Sequence, residues 1–228
     1  KIIVFIRGNI MRVRALSAVV LACSLLAAGC TAQEAISERS PSPTPQHTWS
    51  ATKPKQISVA EFKIALAQLK RTVDEFKGNL EVFPKDVRPL LIASNGSSLA
   101  IEPDITRASK NSPYKFDLQS SYSGQDWMFF DSYDIKSSTG VFSYSIDTVN
   151  RNDLAQLGGV IEYSSDFYSD KEAVGFCNVM SGNRVKIRFN GTQSSIVDVT
   201  KSVPEEASSL IMDSCIVYFG LLQGIPLG

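Results

Sequence analysis

Between Tyr114 and Ile146 the apolar residues recur at every second position, a period that only an extended backbone with one buried face satisfies. Tyr114, Phe116 and Leu118 alternate with polar residues, as do Phe142, Tyr144 and Ile146, and a denser apolar run lies between them at 127–130. Serine and glycine at 120–124 and 137–140 supply the turns, so the segment predicts a three-stranded antiparallel meander. Trp127, Phe129, Phe130 and Tyr133 are expected chiefly in its core, because a domain of this size needs large rings to fill it; a ligand site is the other use for such a cluster.

Helical periods flank the meander. Ser58-Val59-Ala60-Glu61 has the form of a capping box, and Phe62, Ala65, Leu66, Leu69, Val73 and Phe76 then predict one helix as far as Gly78. Pro84, Pro89 and Pro103 interrupt any pattern over 79–110, where Leu90, Leu91 and Ile92 predict a short helical turn or a strand. Val160–Tyr163 predicts a short strand. The acids and aromatics Glu162, Tyr163, Asp166, Phe167, Tyr168 and Asp170 then predict a loop that could hold a sugar or a cation. A second capping box, Ser169 to Glu172, opens a helix with Ala173, Phe176, Cys177 and Met180 inward, ending at Gly182. Arg184–Asn190 alternates as a strand, and Asn190-Gly191 predicts a tight hairpin into a second strand through Val199. A third capping box, Ser202 to Glu205, begins a helix with Ala207, Leu210, Ile211, Cys215, Tyr218, Leu221 and Leu222 on one stripe. The expected fold class is α+β: an antiparallel sheet of about five or six strands packed by helices, in one domain over 58–228.

The N-terminal part has a different character. Met11, Arg12, Val13 and Arg14 form a basic head, and Ala15–Ala28 is an apolar core of signal-peptide length, short of the ~20 residues that span a membrane. It ends Leu26-Ala27-Ala28-Gly29-Cys30, which resembles the lipobox of bacterial lipoproteins, with Ala27 where Leu is commonest. The resemblance implies that residues 11–29 are removed, that 1–10 are an upstream extension, and that a diacylglycerol is carried on Cys30. Residues 30–57, with Ser40-Pro41-Ser42-Pro43-Thr44-Pro45, read as a disordered tether that holds the domain off the membrane. A tether of this kind after a lipobox resembles surface lipoproteins of Gram-positive bacteria, particularly actinobacteria, and implies a place on the extracytoplasmic face without implying an activity.

Charge and cysteine usage narrow the function classes. The chain has 23 basic and 23 acidic residues, and removing Lys1, Arg7, Arg12 and Arg14 with the leader leaves 19 against 23. A weakly acidic chain lacks the footprint for nucleic acid. Cys23 leaves with the leader and Cys30 takes lipid, so Cys177 and Cys215 remain, and two thiols outside the cytoplasm are expected to pair. The only histidine, His47, lies in the tether, so a Ser or Cys nucleophile would lack its usual base. Zinc would lack its usual ligands, and no cofactor or metal is expected. Asp147, Asn150, Asn152 and Asp153 do not have the alternation of a calcium loop.

Two readings remain. Paired carboxylates, for instance Asp131 or Asp134 with Glu162, could serve a hydrolase acting on cell-envelope glycan. Alternatively the domain is a binding or interaction module, with Arg184, Lys186 and Arg188 on one strand face as candidate contacts for a cell-wall polymer or an acidic envelope protein. A charged outer face that discourages edge pairing explains the same three residues.

Overall fold

The computed structural model describes residues 54–94, 97–154, 159–193 and 196–228. Cys30 and His47 lie outside them, as do the expected leader and all of the expected tether before Pro54.

Both early capping boxes form. The Ser58 and Glu61 backbone N–H groups donate to each other's side chains and open α1 (Val59–Leu66), and Ser169 and Glu172 do the same for α2 (Asp170–Met180). α1 stops at Leu66 rather than at Gly78, and the chain continues as β1 (Leu69–Val73) paired with β2 (Leu80–Pro84). A spacing of four residues fits one face of a helix and equally one face of a strand, so Leu69 and Val73 did not discriminate. Phe76 lies in the turn between the strands and is fully exposed. Downstream, a 3-10 turn at Arg88–Leu90 leads into β3 (Leu91–Ser94), so the short apolar run supplies both a turn and a strand.

The alternation over 114–146 does form three strands, but not one meander. β5 (Lys115–Gly124) pairs with β4 (Ser97–Arg107) and β9 (Gly159–Tyr168), whereas β6 (Phe130–Ser137) and β7 (Gly140–Ser145) belong to another sheet. The first sheet runs β1-β2-β4-β5-β9-β8, with β8 at Asn150–Leu154 and β3 attached to β4. The second runs β11-β10-β6-β7, with β10 at Lys186–Gln193 and β11 at Ile196–Ser202. Every pairing is antiparallel. The expected loop of acids and aromatics after Tyr163 is the continuation of β9, because pairing with β5 persists to Phe116↔Tyr168.

Asn190-Gly191 makes no tight turn. Neither residue takes a positive φ, and β10 carries a register irregularity there before pairing Gln193 with Ile196. The third capping box is also absent: Ser202 is held in β11 opposite Lys186, and Pro204 is the N-cap of α3 (Glu205–Leu222), without a side-chain bond.

The result is an α+β domain whose inner sheet faces meet α2 and α3. Tyr168 of β9 lies where the layers join, its ring 4.6 Å from Tyr144 and 5.8 Å from both Phe142 and Phe176. Its hydroxyl is hydrogen-bonded to that of Tyr133. Gly220 of α3 admits the Phe62 ring of α1, since a Cβ there would stand 2.3 Å from it. Cys177 of α2 and Cys215 of α3 are disulfide-bonded, fully buried, with Cα atoms 6.0 Å apart. Between the layers Ile101, Ile135, Met180, Ile187 and Ile211 line an apolar void of about 10 Å³, room for a single water at most.

Candidate functional site

Packing fixes which side chains of β10 face outward. Val185, Ile187 and Phe189 are buried, so Lys186 and Arg188 stand on the outer face of the four-stranded sheet. Arg184 does not join them: it precedes the strand, at φ 56°, and the expected three-cation strand is therefore a two-cation strand with an exposed arginine at its corner. Arg188 donates from Nη2 to Asp134 Oδ2 at 2.5 Å, and Asn190 Nδ2 and Ser143 Oγ donate to the same carboxylate at 3.2 and 2.5 Å. Burial pushes Asp134 up, and the bonds from Ser143, Arg188 and Asn190 outweigh it, leaving the carboxyl below its ordinary value.

The pairing supplies a cation that the sequence reading missed. Lys136 of β6 lies directly opposite Lys186 of β10. Both are exposed, and among the described residues neither has an acidic partner. Like charges side by side on neighbouring strands destabilise a sheet, and an anionic group set between them reverses the sign of that interaction.

The outer face of the seven-stranded sheet has the opposite character. Asp104 of β4 lies opposite Asp117 of β5, and the two are 3% and 7% exposed. Asp104 Oδ2 accepts from Gln119 Nε2 at 2.6 Å, while its Oδ1 has no partner among the described residues. Asp117 accepts from Ser165 Oγ at 2.9 Å. Burial, reinforced by Glu102, Glu81 and Asp117, raises Asp104 to about 8. Burial also raises Asp117, to about 6, against the opposing Ser165 bond. Asp104 is thus mainly protonated at neutral pH. Beside this pair Lys115 lies over the half-exposed Phe167 ring, 4.7 Å from its centroid. Among the described residues no group of His, Cys, Asp and Glu is arranged to hold a metal ion.

Glu162, offered by the sequence as half of a carboxylate pair, is fully buried. Its Oε1 accepts the N–H groups of Met128 and Phe129 at 2.5 and 2.7 Å, and its Oε2 accepts the Phe130 N–H at 3.1 Å and Arg151 Nε at 3.2 Å. Phe129 has φ 54°, and this left-handed residue helps turn successive amides into an anion-binding concavity that the chain's own carboxylate fills. Arg151 also lies over the Phe129 ring, 5.0 Å from its centroid. Phe130 and Tyr133 are core residues, as expected of the aromatic cluster, whereas Phe129 is 39% exposed and Trp127 half-buried beside it. Asp131 is exposed and accepts from Ser132 Oγ. Of the residues considered for calcium, Asn150, Asn152 and Asp153 are strand residues of β8 paired with β9.

No protein-family model, no curated protein and no solved structure matches this chain.

Proposed function

We propose that the chain is a lipid-anchored binding module of the extracytoplasmic membrane face, and that it takes an anionic polymer of the cell envelope on the outer face of its four-stranded sheet. The anchor rests on the lipobox at Cys30. The contact surface rests on one observation, the direct opposition of Lys136 and Lys186, with Arg188 and Arg184 nearby in the chain. Phosphate groups spaced along a polymer such as a teichoic acid complement such a pair, and the interaction weakens with salt. The alternative, a carboxylate-dependent glycan hydrolase, has less support. Glu162 has both oxygens bound by amides and an arginine, and Asp134 holds Arg188.

The test is calorimetric titration of the full chain with purified teichoic acid, at low and at high salt. Binding that is lost in the double variant Lys136→Gln, Lys186→Gln and weakened by salt is the expected result. Equal binding by wild type and double variant, or none by either, overturns this choice of surface.

A further inference from the structure

We infer that the chain pairs with a second copy of itself through β7, edge to edge and antiparallel, about a two-fold axis at Ser143. Among the described residues no strand pairs with the outer edge of β7, and its backbone geometry specifies what can fill it. Ile146 N–H donates to Asp131 C=O at 2.8 Å, which identifies Asp131 and Ile146 as a hydrogen-bonded pair. Pair types alternate along an antiparallel ladder, so Tyr144, Phe142 and Gly140 also direct their backbone groups to β6. Val141, Ser143 and Ser145 then direct their N–H and C=O groups away from the sheet, and all three are exposed. Groups repeating along an extended edge are matched by another extended backbone.

Among the described residues the other edge strands carry charge or cover, and β7 does not. Natural sheets protect their edges with charge or cover. β1 carries Lys70 and Arg71, β8 carries Arg151 and Asp153, and β11 carries the buried Lys201, an inward-pointing charge opposite Ile187. β3 is uncharged but packs against β11. β7, Gly-Val-Phe-Ser-Tyr-Ser, has neither charge nor proline.

A second β7 is a matching occupant. With Ser143 opposite its own copy, Val141 falls opposite Ser145 of the second copy and the reverse. Three hydrogen-bonded pairs form, two bonds in each, and no like charges are opposed along the seam. The joined sheet has eight strands and presents Lys136 and Lys186 twice on one continuous face. The pairing itself uses neither lysine, so it stands or fails separately from the polymer reading.

The test uses the full chain with Cys23→Ser and Cys30→Ser, the natural pair Cys177–Cys215 being buried. In an antiparallel hydrogen-bonded pair the Cα atoms are about 5.5 Å apart, within reach of a disulfide. Mild oxidation of Ser143→Cys is expected to give a linked dimer. Val141→Cys and Ser145→Cys should link when mixed and not when oxidised separately, and Lys136→Cys should not link. Ser143→Pro removes two of the bonds at a position where β6 pairing needs no N–H, and should weaken dimer formation in sedimentation by about tenfold or more. Cross-linking of Ser143→Cys no greater than that of Lys136→Cys, or linking without register preference, overturns the inference.

Discussion

Glu162 on β9 accepts the backbone N–H of Met128 at 2.5 Å, across the corner where the chain leaves the seven-stranded sheet for the four-stranded one. Among the described residues the two sheets share no ladder, and this buried carboxylate holds the connecting segment by three amides at once. Removing it leaves three donors and Arg151 without their acceptor. Glu162→Ala should therefore cost about 3–5 kcal/mol, and Glu162→Gln about 1–3 kcal/mol because its amide nitrogen would face other donors. Chemical denaturation of both variants measures this; wild-type stability in Glu162→Ala would show that the corner is held by other contacts.

A second prediction concerns pH. Asp104 and Asp117 are raised from 3.8 to about 8 and about 6, chiefly by burial, and Asp213 is raised to about 7 by burial. A carboxyl whose folded-state pKa is raised binds its proton more tightly in the folded than in the unfolded chain. Its contribution is fully present below the ordinary value and is lost as pH rises through the raised one. The domain should lose stability between about pH 4 and pH 8, with Asp104 the main contributor above about pH 7. Asp104→Asn should flatten that upper limb and raise the melting temperature near pH 8. A melting temperature constant over this range in the wild type would contradict the assignment.

The Cys177–Cys215 bridge gives a third. It joins α2 to α3 across the 38-residue separation that contains β10 and β11, and both cysteines are inaccessible. Thiol blocking without reductant should find both residues linked. Replacing either by Ser should lower stability by about 2–5 kcal/mol. Full alkylation of both in protein taken from its native compartment would contradict the bridge.

A fourth follows from the proposed anchor. Cys30→Ala should abolish incorporation of labelled fatty acid and release the chain from the membrane fraction, leaving the thermal melt of the domain unchanged. Continued labelling in that variant would remove the lipobox reading.

What was legible in the sequence was local. The Ser58 and Ser169 caps lie within four residues, and the alternations at 142–146 and 185–189 mark a buried and an exposed face without reference to a partner strand. What was illegible depends on pairing between distant segments. Lys136 joins Lys186 only through the β6–β10 register, and Asp104 meets Asp117 only through β4–β5. The splitting of the meander turns on Glu162, whose role exists only once residues 128–130 fold onto it. Leu69 and Val73 fitted two periods equally, and the ladder with β2 decided between them. Ser202 lost its capping role to the ladder with Lys186.

The amide of Gln223, just past the end of α3, bridges the chain entering the domain: Oε1 accepts the Ile57 N–H at 2.9 Å and Nε2 donates to the Lys55 carbonyl at 2.8 Å. Ile57 is buried beneath this clasp, and Lys55 is paired with Glu61 at 2.7 Å. The first and last parts of the domain are therefore fastened here as well as where Phe62 packs on Gly220 and Arg71 Nη1 donates to the Gly228 carbonyl. Tension applied through the chain before Lys55 loads this clasp together with the Lys55–Glu61 pair, and through Glu61 it reaches the Ser58 cap. A pull from that direction is therefore shared by clasp, ion pair and cap rather than borne by any one of them.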